Sequence, residues 1–506
     1  MKFLYDEVIN AANAYGAKVA FTSATESITF EGFRDRVVAI SGGLQQIGVK
    51  RGDRISILAD NSIDYLAYHY AATIAGAFLH VINVRLALGE IAWAIDDAES
   101  HVLIMDENYT NHVGPIREAC ASSNRKIVSC GDVVNADIST AELIAMDATP
   151  DAVQHGLNDP VVLIYTSGTT GRPKGALQTH AGSLHADRCA MDAIGFSEMD
   201  RFLAMMPFFH QAGLIRPRAN LMAGGETIVL GRMTPSEVSD ALRQHEVSVT
   251  MIASGLQIAA IAEAAAESPN DFKALRLLIA GGGLGTDRMG KMQQVCALLD
   301  CDYMGVYGQT EATGPVTASR GPECFDRPDS CGTALPGFEI AVWNEDGSVL
   351  APHERGEVMV RGVATASYWR NDAANTALYT DSWLHTGDLG YSDKDGFLYL
   401  AGRIKELIKT GAENVYPREV EEVLSQHQSI NDVVVFGMPD EAWGEAVAAA
   451  VILEAGTHLD LGELKSFCRG KIGGYKTPKY LYIVEEIPRN ETGKPLKHVL
   501  RERLSI

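Results

Sequence analysis

Short apolar runs alternate along this chain with stretches whose apolar positions recur every three or four residues. Residues 54–60 (RISILAD), 101–106 (HVLIMD), 161–165 (VVLIY), 247–253 (VSVTMIA) and 275–280 (LRLLIA) read as short buried strands. Between them lie helical patterns: in 237–246, Val238, Ala241, Leu242 and His245 fall at i, i+3, i+4 and i+7. This alternation predicts an α/β fold, mostly parallel sheets with flanking helices. The last hundred residues differ. Residues 418–427 predict an amphipathic helix with Val420, Val423, Leu424 and His427 on one face, followed by strands at 432–436, 446–453 and 480–484. That is a small α+β unit. Residues 393–405 (DKDGFLYLAGRIK) read as a hairpin and a charged connector. The expected division is a large domain over 1–402 and a small C-terminal one over 403–506.

Composition narrows the class. At ~150 residues per domain, 506 residues predict roughly three folding units. Hydrophobic residues at 46% and charged residues at 21% exclude a disordered or fibrous chain. The net charge of −22 argues against nucleic acid, which needs a basic face, and against an anionic membrane surface. The first residues, MKFLYDEVINAANAYG, lack the apolar core of a signal peptide. The most apolar long stretch, residues 70–84, contains His80 and Asn83 and is too short and polar for a membrane span. The eight cysteines form no C-x-x-C pair and no zinc spacing. Free thiols in a reducing cytoplasm are the expectation.

The candidate chemistry starts after the strand at 161–165. Thr166, Ser167, Gly168, Thr169, Thr170, Gly171, Arg172, Pro173, Lys174 and Gly175 combine hydroxyls, glycines and two cations in one loop. Glycines let backbone N–H groups approach phosphate oxygens, hydroxyls donate further bonds, and a lysine adds a point charge. The loop is not a Walker A motif, because Lys174 is followed by Gly175 rather than Ser or Thr. A second glycine turn, Gly281-Gly282-Gly283-Leu284-Gly285-Thr286, lacks the third glycine of a dinucleotide fingerprint.

The loop YTSGTTGRPKGA resembles the signature of the adenylate-forming superfamily, which holds acyl- and aryl-CoA synthetases, luciferases and peptide-synthetase adenylation domains. Further motifs follow in that superfamily's order, so the resemblance runs over about residues 28–500. In Pro207–Gly213 (PFFHQAG), it implies that His210 borders and gates the acyl pocket. Gly281, Gly282 and Gly283 would lie along the adenine. In the segment YGQTE, Tyr307 and Gly308 would pack on adenine, Thr310 would touch the α-phosphate and Glu311 would hold Mg²⁺. A hard divalent cation on triphosphate suits a carboxylate. Asp388 would bind both ribose hydroxyls, accepting two hydrogen bonds. Arg403 would contact ribose or phosphate, and Lys405 would be the hinge. In P-x-x-x-x-G-K, Lys494 would bridge the substrate carboxylate and the α-phosphate.

By the same resemblance the acyl pocket is bordered by His210, Gln211, Ala212, Gly213, Ser254, Gly255, Gly283, Gln309 and Thr313. Gly411, Ala412, Tyr475 and Lys476 would meet CoA. The implied activity is an AMP-forming acid–CoA ligase using ATP, Mg²⁺ and coenzyme A on a small-molecule carboxylic acid. A fatty acid stands first, an aryl or cinnamate-type acid second, a polycyclic acid after them. Lys494 and the phosphate loop lie some 320 residues apart, so a mobile C-terminal domain must close over the large one. The alternatives are an adenylation enzyme loading a separate carrier protein and, more remotely, a non-catalytic nucleotide or acyl binder. The sequence does not report oligomeric state, and a homodimer stays open.

Overall fold

The computed structural model describes residues 2–120, 125–166, 173–252, 255–282, 286–362, 367–410, 413–440, 443–469, 471–489 and 495–504. A large N-terminal domain holds three sheets, and a smaller C-terminal domain holds a fourth.

In one sheet Arg54–Leu58 is flanked in parallel by Phe78–Val81 and Val102–Asp106, with Pro160–Thr166 parallel to Phe78–Val81. Ile55, Ile57 and Leu58 are all buried, because helices cover both faces and leave no solvent side. In the second sheet Arg201–Leu203, Val249–Met251, Leu277–Gly281 and Asp302–Gln309 run parallel. Gly314–Arg320 then turns back antiparallel to Asp302–Gln309. The third sheet is antiparallel, built on Phe338–Trp343, Gly356–Gly362 and Trp383–Ser392, with Leu398–Arg403 paired to Trp383–Ser392.

Helix Phe30–Gln46 shows how closely the layers approach. Thr29 Oγ1 caps it by accepting the Gly32 N–H at 3.1 Å. A Cβ at Gly42 would lie 1.8 Å from the carbonyl oxygen of Ala148, so only glycine fits that contact.

In the C-terminal domain Ile430–Asp440 and Gly444–Leu453 form an antiparallel pair, with Tyr480–Ile483 parallel to the latter. Helix Pro417–Leu424 packs Val420 and Leu424 into the core of this sheet. Arg355 of the large domain pairs with Glu419 of that helix at 3.1 Å, and within the small domain Lys497 pairs with Glu406 and Glu421 at 3.3 and 3.1 Å.

The strands expected at 54–60, 101–106, 161–165 and 275–280 are present with ends shifted by one to two residues, and the one expected at 247–253 shortens to Val249–Met251. The 70–84 stretch divides into the end of helix Ile63–Ile74 and strand Phe78–Val81. Among the described residues no helix is long and apolar enough to cross a membrane.

Candidate active site

The motifs converge because they follow the carboxyl ends of parallel strands, the edge where open α/β sheets bind ligands. Thr166 ends one strand, Gly281 another and Gln309 a third, and residues 206–210 follow Arg201–Leu203. Residues 167–172 and 283–285 lie outside the described residues. So Ser167, Gly168, Thr169, Thr170, Gly171 and Gly283 carry no structural account. The two ends of the first loop are nevertheless locked together, since Thr166 stands opposite Lys174 in an antiparallel register.

Glu311 sits in a short 3₁₀ turn just after strand Asp302–Gln309. Its Oε1 accepts from the Tyr368 hydroxyl at 2.9 Å and from Thr166 Oγ1 at 3.4 Å. Burial and the Glu311 carboxylate push the Tyr368 phenol well above its ordinary range, which keeps it a donor. Lys174 Nζ stands 5.0 Å from the Tyr368 ring centroid. Gln178 Nε2 donates to the Thr310 carbonyl at 3.3 Å, fixing the turn from the strand beside it. The phosphate loop's ends and the acidic turn are thus one unit.

A second unit joins Tyr307, Asp388 and Arg403. The register of Trp383–Ser392 against Leu398–Arg403 sets Asp388 opposite Arg403. Arg403 Nε lies 2.9 Å from Asp388 Oδ1, and the Tyr307 hydroxyl donates to Oδ2 at 2.7 Å. The Asp388 amide is held by Thr386 Oγ1 at 3.0 Å. Burial opposes the charge on Arg403, but Asp388, Glu406 and Glu311 together outweigh it and hold the guanidinium above its usual value. Burial first, and then Asp388, raises the Tyr307 phenol.

On the acyl side His210 precedes helix Gln211–Ala223 and packs against Phe209, ring centroids 4.7 Å apart. Phe209 and His210 line a cleft with Tyr165 and the end of strand Phe78–Val81. Gln211 Nε2 donates to the Thr313 carbonyl at 2.8 Å. That bond spans to a residue with φ of +61°, a left-handed conformation costly for a β-branched side chain. A Cβ at Gly213 would meet the Pro207 carbonyl oxygen at 2.1 Å, so the helix starts flush against the preceding loop. Ser254 lies outside the described residues, as do Gly411, Ala412 and Lys494. The ends of the Lys494 loop are clasped: Leu496 N donates to the Pro488 carbonyl at 2.8 Å, and Arg489 bridges to Pro495. Lys476 is occupied by Glu419 at 2.5 Å.

Tyr368 and Gln178 were not singled out from the sequence. Only the pairing of Ser367–Tyr368 with Lys174–Thr179 brings Tyr368 to Glu311.

Residues 8–369 match the AMP-binding enzyme family, and residues 419–494 match the AMP-binding enzyme C-terminal domain. The chain belongs to the AMP-binding enzyme family. It is 30% identical to a 2-succinylbenzoate–CoA ligase of Bacillus cereus over 96% of its own length and 95% of that protein's. Among solved structures it resembles the o-succinylbenzoate CoA synthetase of Bacillus subtilis bound to its acyl-adenylate, with a TM-score of 0.84, 27% identity, and 98% and 97% of the two chains covered. ATP-bound MatB from Rhodopseudomonas palustris gives a TM-score of 0.89 at 26% identity, covering 99% and 98%. The chain is therefore an adenylate-forming enzyme of the AMP-forming acid–CoA ligase class, with ATP, Mg²⁺ and CoA as its small-molecule partners.

Among the described residues no group of three or more His, Cys, Asp or Glu could hold a metal by itself. The Glu311 carboxylate, 3.4 Å from Thr166 Oγ1, is a hard oxygen donor that would suit Mg²⁺ brought by the triphosphate.

Proposed function

We propose that this enzyme joins an aryl-bearing or otherwise polar acid, rather than a fatty acid, to CoA through an acyl-adenylate. One observation carries the choice. Gln211 Oε1 and Thr313 Oγ1 are buried beside the expected acyl pocket and have no hydrogen-bond partner, at 6% and 1% residue exposure. A hydrocarbon tail would leave both unsatisfied, at about 1–3 kcal/mol each. An acid with a ring carbonyl, hydroxyl or carboxyl group would satisfy them. The names of the relatives in Bacillus point the same way. This reverses the order expected from the sequence, where a fatty acid stood first.

In this reading Asp388 receives the ribose hydroxyls, Tyr307 and Gly308 flank the adenine with Gly281 and Gly282, and Arg403 stays at the ribose–phosphate junction. Residues 166–174 hold the phosphates and Thr310 meets the α-phosphate. Glu311 orients Mg²⁺, which when bound neutralises phosphate charge. The attack joins two anions, so Lys494 is assigned to the position between the acid's carboxylate and the α-phosphate, where charge develops. His210 borders the acid. The domain boundary is placed at 402/403 with Lys405 as pivot. Gly411, Ala412 and Tyr475 are assigned to the pantetheine path, and Lys476 joins them only after release from Glu419. A cytoplasmic location belongs to the same proposal and suits eight cysteines that are all free thiols.

The test supplies ATP, Mg²⁺ and either aryl or fatty acids, with and without CoA, and follows AMP. CoA-dependent AMP turnover with aryl acids is expected. Turnover confined to fatty acids would reject the choice of acid. Pyrophosphate release limited to about one enzyme equivalent and indifferent to CoA would point to a carrier protein as acceptor.

A further inference from the structure

Arg216 is the side chain in this region whose charge has no answer. It lies in helix Gln211–Ala223 and is 3% exposed. Its Nη1 donates to the Ala212 carbonyl at 2.9 Å, so the guanidinium folds back one helical turn toward His210 and the helix start. Its Nε is buried and has no partner. Among the described residues no carboxylate lies within ion-pair distance of it.

The contrast with Arg218, two residues on, is sharp. Arg218 is equally buried, but it is paired with Asp187 at 2.9 Å and bonded to His69. The fold thus answers one buried arginine and leaves the other open. An unpaired buried charge is costly enough that proteins retain one only where something meets it. Burial alone, with no charged neighbour contributing, pulls Arg216 down to about 10, so it is still a cation at neutral pH.

Its surroundings add more positive potential. Helix Gln211–Ala223 begins at His210 with no side chain capping its first N–H groups, so the positive end of the helix dipole faces the same space. The nearby Gln211 is tied to the Thr313 carbonyl, and its neutral amide carries no charge to balance the arginine.

We propose that Arg216 is a specificity-determining residue that receives a second anionic group of the acid substrate, remote from the carboxyl group that is activated. The substrate class is then a dicarboxylic or similarly charged acid. The guanidinium donates from its unpartnered Nε–H to the distal carboxylate, and the charge pair forms in a dry site where it is strong. A monoacid of the same shape leaves Arg216 unanswered and binds more weakly. This rests on the adenylation reading above and deepens its choice of acid.

The test measures binding of 5′-O-(N-acyl)sulfamoyl adenosines, stable stand-ins for the acyl-adenylate, by titration calorimetry on the full chain. Two isosteric pairs are compared: glutaryl against 5-oxohexanoyl, and a 2-carboxyphenyl-bearing against a 2-acetylphenyl-bearing butanoyl chain. In at least one pair the carboxylate member is expected to bind tenfold or more tighter. Arg216→Met should reduce that ratio to near one while the neutral member binds as before or better. Arg216→Lys, which keeps the charge, should retain part of the preference and decides the matter if the Met variant does not fold. Equal or tighter binding of the neutral member in both pairs would overturn the proposal, as would a preference that survives Arg216→Met. Failure of every analogue to bind, charged and neutral alike, would instead overturn the adenylation reading and this proposal with it.

Discussion

The Tyr368 hydroxyl donates to Glu311 Oε1 at 2.9 Å, across 57 residues of sequence. The bond fixes the carboxylate's rotation beside Thr166, whose Oγ1 lies 3.4 Å from the same oxygen. A partner that orients a metal-binding carboxylate typically changes metal affinity about 10- to 100-fold when lost. Tyr368→Phe is therefore expected to raise the Mg²⁺ concentration for half-maximal adenylation by about tenfold, with little change in the acid's KM. Unchanged Mg²⁺ dependence would remove Glu311 from its assigned role or Tyr368 from its support.

Asp388 holds Tyr307 and Arg403 at once, and it is buried. Hydrogen bonds to charged groups contribute about 1.5–3 kcal/mol, so Asp388→Ala should raise the KM for ATP by about 10- to 150-fold. Tyr307→Phe removes one bond and should cost less. Equal ATP affinity in Asp388→Ala, read by calorimetry, would reject the ribose assignment.

The role proposed for Lys494 separates binding from chemistry. Removing one group that stabilises developing charge costs about 10²–10³ in kcat. Lys494→Ala should lose adenylation to that degree and still bind ATP. It should also convert a supplied acyl-adenylate to the thioester at a near-normal rate. A variant slowed equally in both half-reactions would place Lys494 in structure rather than in the first step.

Two buried histidines should make the fold sensitive to acid. Burial pulls His80 down to about 3 and His180 down to about 4, whereas in the unfolded chain both titrate near 6.5. His80 Nδ1 is bonded to Ser56 at 2.8 Å, and His180 Nδ1 accepts the Leu4 N–H at 2.9 Å, so the fold holds both rings neutral. These groups have depressed folded values. The stability they contribute is present above pH 6.5 and is lost as pH falls toward 4 and 3. The loss should approach about 1.4 kcal/mol per pH unit for each histidine. Urea midpoints measured from pH 7 to pH 4.5 should fall accordingly, and His80→Gln should flatten the slope by one histidine's share. An unchanged slope would show that His80 is protonated in the folded state.

The buried pair Arg218–Asp187 is closed by His69, with Glu7 and Tyr70 alongside. Removing one member of such a pair strands a charge and costs about 3–5 kcal/mol. Arg218→Met should therefore lower stability by that amount, seen as a reduced denaturant midpoint. A loss under 1 kcal/mol would mean that Asp187 and Glu7 take up protons and relieve the pair.

Much of this enzyme is local in its sequence, and that part was legible. The α/β alternation, the hydroxyl- and glycine-rich loop after residue 165, and the YGQTE and C-terminal G-K segments are short patterns that can be read from neighbours in the chain. Elements such as 54–58 and 237–244 follow from period and capping alone: Thr234 and Glu237 form a capping box at the start of their helix. Three things required the tertiary structure. Tyr368 reaches Glu311 only through a strand pairing formed across nearly two hundred residues. Asp388 and Arg403 were each legible as candidates, but their bond depends on hairpin register, which periodicity does not specify. Arg216 and Arg218 look alike in the sequence IRPRAN. Which of them is neutralised depends on the acids that other elements bring within a few ångströms, and burial turns that difference into binding energy.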